Sequence, residues 1–415
     1  MRLIPNLFLI TFIACPLLGR TPSLTLREAC AQALQRNPTL AALDWELRAG
    51  DARIRQANRP PNPEISLDLE NLAGSGSFGG GAERESTLQF SQLLETSGRR
   101  RARVSVARED RAAASWEYEI QRIEVLKTTT QAFVAVLAAQ RSVKLAEELA
   151  RLAEDSTPVT QQRVDAGAAG AVELTRSALA VATAKMELEQ ARRALSIARG
   201  NLAMQWGSTV ADFPEVTGDL DRVKPLPALE ALRERLSETP RLARWQAERE
   251  RRRARLGLAQ TEARPDLTLS VGPRLAGSGE DVTFVAAGSL PLPLWHRNEG
   301  AIAEAQAQLS KTDAEMRSVE VAAAAALNES WHGVARALAE AEILRKDVLP
   351  NAEKADRQVA EGYAAGRFSQ LEVLDARRAL VDARKQQLQS LAEYHKAVAE
   401  VEALTAKSAS NFTRN

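Results

Sequence analysis

Aromatic side chains are scarce. They make up 4% of the 415 residues, which excludes a core filled by large rings and points to helices built on Ala and Leu. Only two cysteines occur, Cys15 and Cys30, too few for a disulfide framework and spaced like no zinc motif. The three histidines, His296, His332 and His395, lie far apart, so no histidine-based metal or catalytic site is supported. Neither sign of charge dominates: 55 Lys plus Arg stand against 54 Asp plus Glu, a net +1. A nucleic-acid binder would carry a basic excess on some face. Catalytic signatures are missing as well. There is no Walker motif, no His-Glu-x-x-His and no Gly-x-Ser-x-Gly, so the reading is against an enzyme and against a bound cofactor. What is present is ordinary for a folded protein: 45% apolar and 26% charged residues.

The N-terminus reads as targeting. Met1-Arg2 is a short positive start, and residues 3–18 are mostly apolar. That run is too short to cross a bilayer, which takes about 20 residues, and fits the apolar region of a secretory signal. Residues 1–20 are therefore taken as a signal segment and the chain as exported to the cell envelope. Phe12-Ile13-Ala14-Cys15 loosely resembles a bacterial lipobox, which would make Cys15 a lipid anchor. Ordinary cleavage near Gly19 or Arg20 is the alternative. Cys30 lies on a helical pattern and reads as a small packed residue. No later stretch of 18 apolar residues offers a transmembrane helix.

The remainder is one unit written twice. Pro38 and Pro240 lie 202 positions apart, as do Pro63 and Pro265, each of the latter just before an alternating segment. Gly74-Ser75-Gly76 returns as Gly277-Ser278-Gly279, and Ala166-Gly167 with Glu173 returns as Ala365-Gly366 with Glu372. Such self-similarity marks a structural repeat. The first copy is placed at residues 21–213, the second at 228–406, and a Pro- and Gly-broken linker at 214–227. Residues 407–415 form a tail.

Each copy predicts two strands and a helical hairpin. In Glu64-Ile65-Ser66-Leu67-Asp68-Leu69-Glu70 every second residue is apolar, the period of a strand with one apolar and one wet face. Strands are predicted at about 64–72 and 85–94, then at about 265–273 and 281–291, with flexible Gly-rich turns between. But for the break at Ser156-Thr157-Pro158, residues 99–165 are good or tolerable helix formers. A helix of that length spans about 100 Å, with a kink expected at Ser156-Thr157-Pro158. A second run goes from Asn298 to about Ala365, interrupted at Pro350. Returning helices are predicted at roughly 172–204 and 370–406, closing helical hairpins at 99–205 and 298–406. The fold class is mainly α with a small β part.

Helices of this kind present narrow apolar stripes, not a broad surface for a sheet. The alternative is that the apolar strand faces meet lipid. No strand edge can stay unpaired in lipid, and membrane barrels start at about eight strands. Four strands per chain then require several chains, without fixing how many.

The residues now on the page resemble a known family. Asn37-Pro38-x-Leu40, Pro63, and the Gly-turns before Glu173-Leu174 and Glu372-Val373-Leu374 resemble the TolC-like outer membrane efflux proteins over nearly the whole mature chain. Gln92-Leu93-Leu94-Glu95-Thr96-Ser97-Gly98-Arg99-Arg100 is most similar to the heavy-metal, CzcC- and CusC-like branch. The resemblance implies a homotrimer in the bacterial outer membrane: a transmembrane β-barrel of 12 strands continued by a long periplasmic α-barrel. It implies a periplasmic adaptor and an inner-membrane RND exchanger as partners. The chain would be the exit duct of a tripartite pump, passing heavy-metal cations passively. The same duct carrying drugs or secreted polypeptide is an alternative, and a soluble periplasmic coiled-coil scaffold or adaptor is an alternative of another class. Metal cargo rests on residues 92–100 alone.

The family closes its tube at the periplasmic tip with inward acidic rings. The matching residues are Glu372 and Asp375, whose spacing of three puts both carboxylates on one helix face. Tripled, they would concentrate negative charge and favour cations. Their counterparts in the first copy are Glu173 and Arg176, a charge swap that could support an interhelical ion pair. The plain alternative is a solvated helix face. Gly167 and Gly366 would be the adaptor-docking turns by the same resemblance, though an αL helix-ending turn alone asks for glycine there.

Overall fold

The computed structural model describes residues 23–73, 76, 84–277 and 281–412. The expected signal segment, Cys15 and most of the Gly-rich turns fall outside them. Strand β1 (Leu24–Thr25) runs straight into α1 (Leu26–Arg36). Thr25 starts that helix with a capping box, its hydroxyl accepting from the Glu28 N–H while Glu28 accepts from the Thr25 N–H. Asn37 then takes up the N–H groups of Thr39 and Leu40 and opens α2 (Pro38–Ala57), with Pro38 in the first turn, where no N–H is missed. The Asn37 amide also donates to the Gln205 carbonyl at 2.8 Å, fastening α2 to the far end of the first hairpin.

That hairpin is α3 (Arg99–Asp165) and α4 (Ala171–Ala203), at the predicted positions. The expected kink is not marked by any interruption: α3 runs through Pro158. The Ser156 and Thr157 hydroxyls both donate to the Ala153 carbonyl and Thr160 to that of Ser156, while the bond that proline removes is the one to the Glu154 carbonyl, four residues back. The second hairpin handles Pro350 differently. A π-helical turn at Leu344–Val348 joins α7 (Glu299–Ile343) to α8 (Leu349–Ala364), and Pro350 sits in the first turn of α8. Helix α9 (Gln370–Thr405) returns, and α10 (Ala409–Phe412) ends the described chain.

The stretch expected as a plain linker has structure of its own. After a 3₁₀ turn at Met204–Trp206, strand β4 (Val216–Thr217) pairs in parallel with β1, followed by α5 (Leu229–Leu236) and α6 (Pro240–Glu262). Two apolar clusters sit here, one per copy. Leu24, Phe133, Val136, Leu202, Trp206 and Phe213 form the first; Leu232, Leu327, Val334, Tyr394 and Val401 form the second. Leu220, Val134, Ala341 and Leu391 join them across the repeat boundary. Elsewhere the helices have narrow packed stripes and wet flanks, as their Ala- and charge-rich composition requires.

The four predicted strands form one sheet. Its order is β2 (Glu64–Glu70), β3 (Glu85–Leu94), β5 (Leu267–Ala276), β6 (Asp281–Ser289), all neighbours antiparallel. The two hairpins are therefore fused through β3–β5. Register puts Ile65 opposite Phe90, and Phe90 opposite Val271; Leu67 opposite Leu88; Leu275 opposite Val282. These residues share one face and all are exposed, Ile65 at 75% and Phe284 at 79%. The other face carries Glu64, Asp68, Glu85 and Asp281, with Arg274 paired to Glu85 at 2.7 Å. Among the described residues no helix covers the apolar face of this sheet, and a contiguous apolar patch of that kind marks an interaction surface. Among the described residues no helix is long and apolar enough to cross a membrane.

Candidate gate at the hairpin tips

Both long hairpins turn by the same device. Gly167 takes φ 72°, which lets its N–H reach the Val164 carbonyl and that of Ala168 reach Arg163. Gly366 takes φ 73°, with its N–H on Tyr363 and that of Arg367 on Gly362. Only glycine enters this region without strain. Among the described residues, no heavy atom beyond the two flanking residues lies within 4 Å of where a Cβ would stand at either position, so the residue serves the backbone. Exposed Val172, Phe368 and Leu371 flank the two turns.

The four residues singled out from the sequence cluster at these tips, in different employment. Glu372 completes a capping box at the start of α9: its carboxylate accepts from the Ser369 N–H at 2.7 Å and from the Ser369 hydroxyl at 2.9 Å. These bonds, the backbone one first, hold its pKa below the ordinary carboxylate value. It is thus a fixed negative charge at a helix N-terminus. Asp375, one turn on, is exposed and has Arg378 at 4.0 Å. Glu173 accepts from the Tyr363 hydroxyl at 3.5 Å. Arg176 makes no ion pair within the chain among the described residues. It borders a groove of about 400 Å³ between α4 and α9 that Leu179, Leu374, Arg377 and Arg378 also line.

Sequence reasoning missed the tie between the hairpins. Arg163, on α3, donates to the Tyr363 carbonyl at 2.8 Å and lies 4.3 Å over the Tyr363 ring. Tyr363, on α8, reaches Glu173 on α4. One aromatic residue is therefore held by both helices of the opposite hairpin, three positions before the Gly366 turn. A polar layer lies one turn deeper. Gln370 donates to Thr160 at 3.3 Å, Thr157 and Ser177 are 3.0 Å apart, and Thr160, Ser177 and Gln370 are buried. The available signal was the rarity of tyrosine: one of only three falls beside a turn.

The segment 92–100 does structural duty at the other end of the helices. Gln92 donates to the Pro61 carbonyl at 3.1 Å and Glu95 pairs with Arg103. Thr96 donates to the Pro265 carbonyl at 3.3 Å, and the Ser97 N–H to Asp266 at 3.3 Å. Gly98 takes φ 82° as the αL residue before α3, and Arg99 lies 3.0 Å from the buried Asp266 carboxylate. The strand-to-helix junction of the first copy is knitted by these contacts to the strand entry of the second. Among the described residues no group of three or more His, Cys, Asp or Glu is arranged to hold a metal ion.

Comparison with known proteins bears on this geometry. The family described as outer membrane efflux protein matches residues 29–208 and 231–407, one block per copy. The chain is 32% identical over 379 residues to the cobalt-zinc-cadmium resistance protein CzcC of Cupriavidus metallidurans, covering 91% of this chain and 89% of that one. Among solved structures it resembles a membrane protein from Pseudomonas aeruginosa at TM-score 0.80 and 20% identity, over 92% of each chain. It also resembles CusC, a transmembrane channel protein, at TM-score 0.73 and 19% identity, over 92% of this chain and 91% of that one.

Proposed function

The chain belongs to the outer membrane efflux protein family, and from that premise we propose that it is the exit duct of a tripartite heavy-metal efflux pump. The observation that carries the reading is the single sheet with one exposed apolar face, one acidic face and two open edges. Lipid suits the first face and water the second, and open edges in lipid must be paired. Three chains close a barrel of 12 strands, within the range known for membrane barrels, and prolong it as a helical tube in the periplasm. Conduction is passive: the energy comes from an inner-membrane RND exchanger, and a periplasmic adaptor seats on the open turns at Gly167 and Gly366 with their apolar neighbours. Metal cargo is supported by the likeness to the cobalt-zinc-cadmium resistance protein.

The tip is the gate in this reading. Arg163, Tyr363 and Glu173 tie the hairpins together, and Glu372 and Asp375 supply negative charge beside them. Deleting the gene and plating on zinc, cobalt, cadmium, copper and silver salts, beside common drugs, tests the cargo. Growth inhibition at several-fold lower concentration of at least one metal salt, with drug tolerance unchanged, is expected. Loss of drug tolerance alone would replace metal by organic cargo.

A further inference from the structure

The sheet passes into helices at one of its ends, and that end is basic. Antiparallel pairing gathers the start of β2, the end of β3, the start of β5 and the end of β6 there. The four crossings, residues 55–64, 95–103, 262–267 and 289–299, hold eight arginines against five carboxylates, in a chain whose net charge is +1. Three of the crossings lie side by side. Arg103 donates to the Arg59 carbonyl at 3.3 Å, Gln92 to that of Pro61 at 3.1 Å and Thr96 to that of Pro265 at 3.3 Å. The arginines thus form one band. The opposite end of the sheet carries Glu70, Glu85 and Asp281, with Arg274 paired to the first two.

Two of the eight are occupied within the chain, Arg99 by the buried Asp266 and Arg103 by Glu95. Arg55, Arg59, Arg100, Arg101, Arg264 and Arg297 are exposed and make no ion pair among the described residues. Arg55 and Arg264 end helices, where a cation is favoured. Arg100 and Arg101 do the reverse. They stand in the first turn of α3, whose positive end disfavours them, and that turn holds no acid. The Arg101 guanidinium reaches back to 3.5 Å from where a Gly98 Cβ would stand, toward the strand end. Such a gathering of like charge is unfavourable until anions meet it. A second copy of the chain cannot supply them from the same band, since it brings the same excess.

We propose that this band binds the phosphate groups of anionic phospholipids in the periplasmic leaflet of the outer membrane, with Trp295 seated between headgroups and acyl chains. The inference rests on the duct reading above and adds a lipid class and its contact residues. The planar guanidinium fork matches phosphate in a bidentate way, and its stem lies along apolar surface while the head stays wet. The apolar face of the sheet ends at this band, so lipid that covers the one brings its headgroups to the other. The chain beyond β6 agrees. The Leu294 N–H bonds the Leu292 carbonyl, turning the chain out of the ladder, and Trp295 is 93% exposed. An indole, apolar in body and polar at its N–H, suits that depth.

Full-length protein in detergent, mixed with micelles carrying phosphatidylglycerol or phosphatidylcholine, gel-filtered and assayed for retained lipid, tests this. Wild type is expected to retain at least about five-fold more phosphatidylglycerol than phosphatidylcholine. The difference should shrink between about 0.05 M and about 0.5 M salt, and equimolar inorganic phosphate should not displace the lipid. Arg55→Gln combined with Arg59→Gln, Arg100→Gln and Arg101→Gln should lose most of the preference. Arg151→Gln combined with Arg193→Gln, Arg336→Gln and Arg345→Gln removes the same charge from exposed sites farther along the helical hairpins and should keep it. If the first variant fails to accumulate, Arg100→Gln with Arg101→Gln alone should lose about half. No preference in the wild type, an undiminished one in the band variants, equal loss in the remote variant, or displacement by inorganic phosphate overturns the lipid site and leaves the duct intact when the wild type has the mass of three chains. A wild-type mass of one chain without detergent overturns both.

Discussion

Replacing Gly272 by valine is expected to abolish accumulation of the protein in the outer membrane and, with it, metal tolerance. A Cβ built on Gly272 would lie 1.8 Å from the Leu88 carbonyl oxygen and 2.8 Å from its carbon. The obstacle is backbone of the neighbouring strand, so no rotamer change relieves it. The β3–β5 ladder already skips Leu88–Gln89 opposite Gly272–Pro273, where Pro273 has no N–H to donate and the strands approach closely. Separating them far enough to admit a side chain would break the flanking ladder bonds, at about 1 kcal/mol each. Several such bonds, together with overpacking of about 1–3 kcal/mol, match much of a domain's net stability. Gly288→Ala in β6 is the control: among the described residues beyond its chain neighbours, its Cβ would meet the Leu269 side chain alone, at 3.7 Å, and membrane levels near wild type are expected. Immunoblots of outer-membrane fractions decide. A Gly272→Val protein at wild-type level would show that β3 and β5 do not form the central seam of the sheet.

The second large effect is expected at the tip. Tyr363→Ala removes the ring under the Arg163 guanidinium and the hydroxyl that reaches Glu173. An exposed cation–π contact is worth about 0.5–1 kcal/mol, so the loss is about 1 kcal/mol per chain. If three chains open together, about 3 kcal/mol shifts the closed–open balance by about 100-fold. Single-channel recording in planar bilayers should therefore show a large rise in open probability. Tyr363→Phe keeps the ring and loses only the contact at 3.5 Å, and should behave nearly as wild type. Unchanged opening in the alanine variant would remove Tyr363 from the gate and leave the contact as simple packing.

Much of this architecture was legible in the sequence because its signals are local and periodic. The 67-residue α3 has the ends that its composition sets, Gly98 before and Gly167 after. The strands alternate strictly enough for the period to expose them. What escaped reading is short or long-range. Strands β1 and β4 have two residues each, too few for any period, and pair across most of the first copy. The fusion of two hairpins into one sheet is a register between copies, which no local pattern records. Pro158 reads as a break because proline costs a helix bond, yet α3 continues through it, one lost bond being small beside the rest of so long a helix. At the tip, Glu173, Glu372 and Asp375 could be found from charge beside a glycine turn. Tyr363 could be noticed only for its rarity beside a turn, and its contact with Arg163 not at all, since their meeting depends on how two hairpins 200 residues apart are laid together. The segment 92–100 carries the heavy-metal resemblance and also holds a junction, the second invisible in sequence because hydrogen bonds to distant carbonyls leave no mark on the spacing of the residues that donate them.

The claim on which everything depends is that each chain carries an unfinished piece of barrel wall. Its most direct test is the mass of the full-length protein extracted from outer membranes in mild detergent, measured by light scattering with the detergent contribution subtracted. Three chains per particle, with none recovered from a detergent-free periplasmic extract, is the predicted result. A single-chain particle that stays in solution without detergent would contradict it.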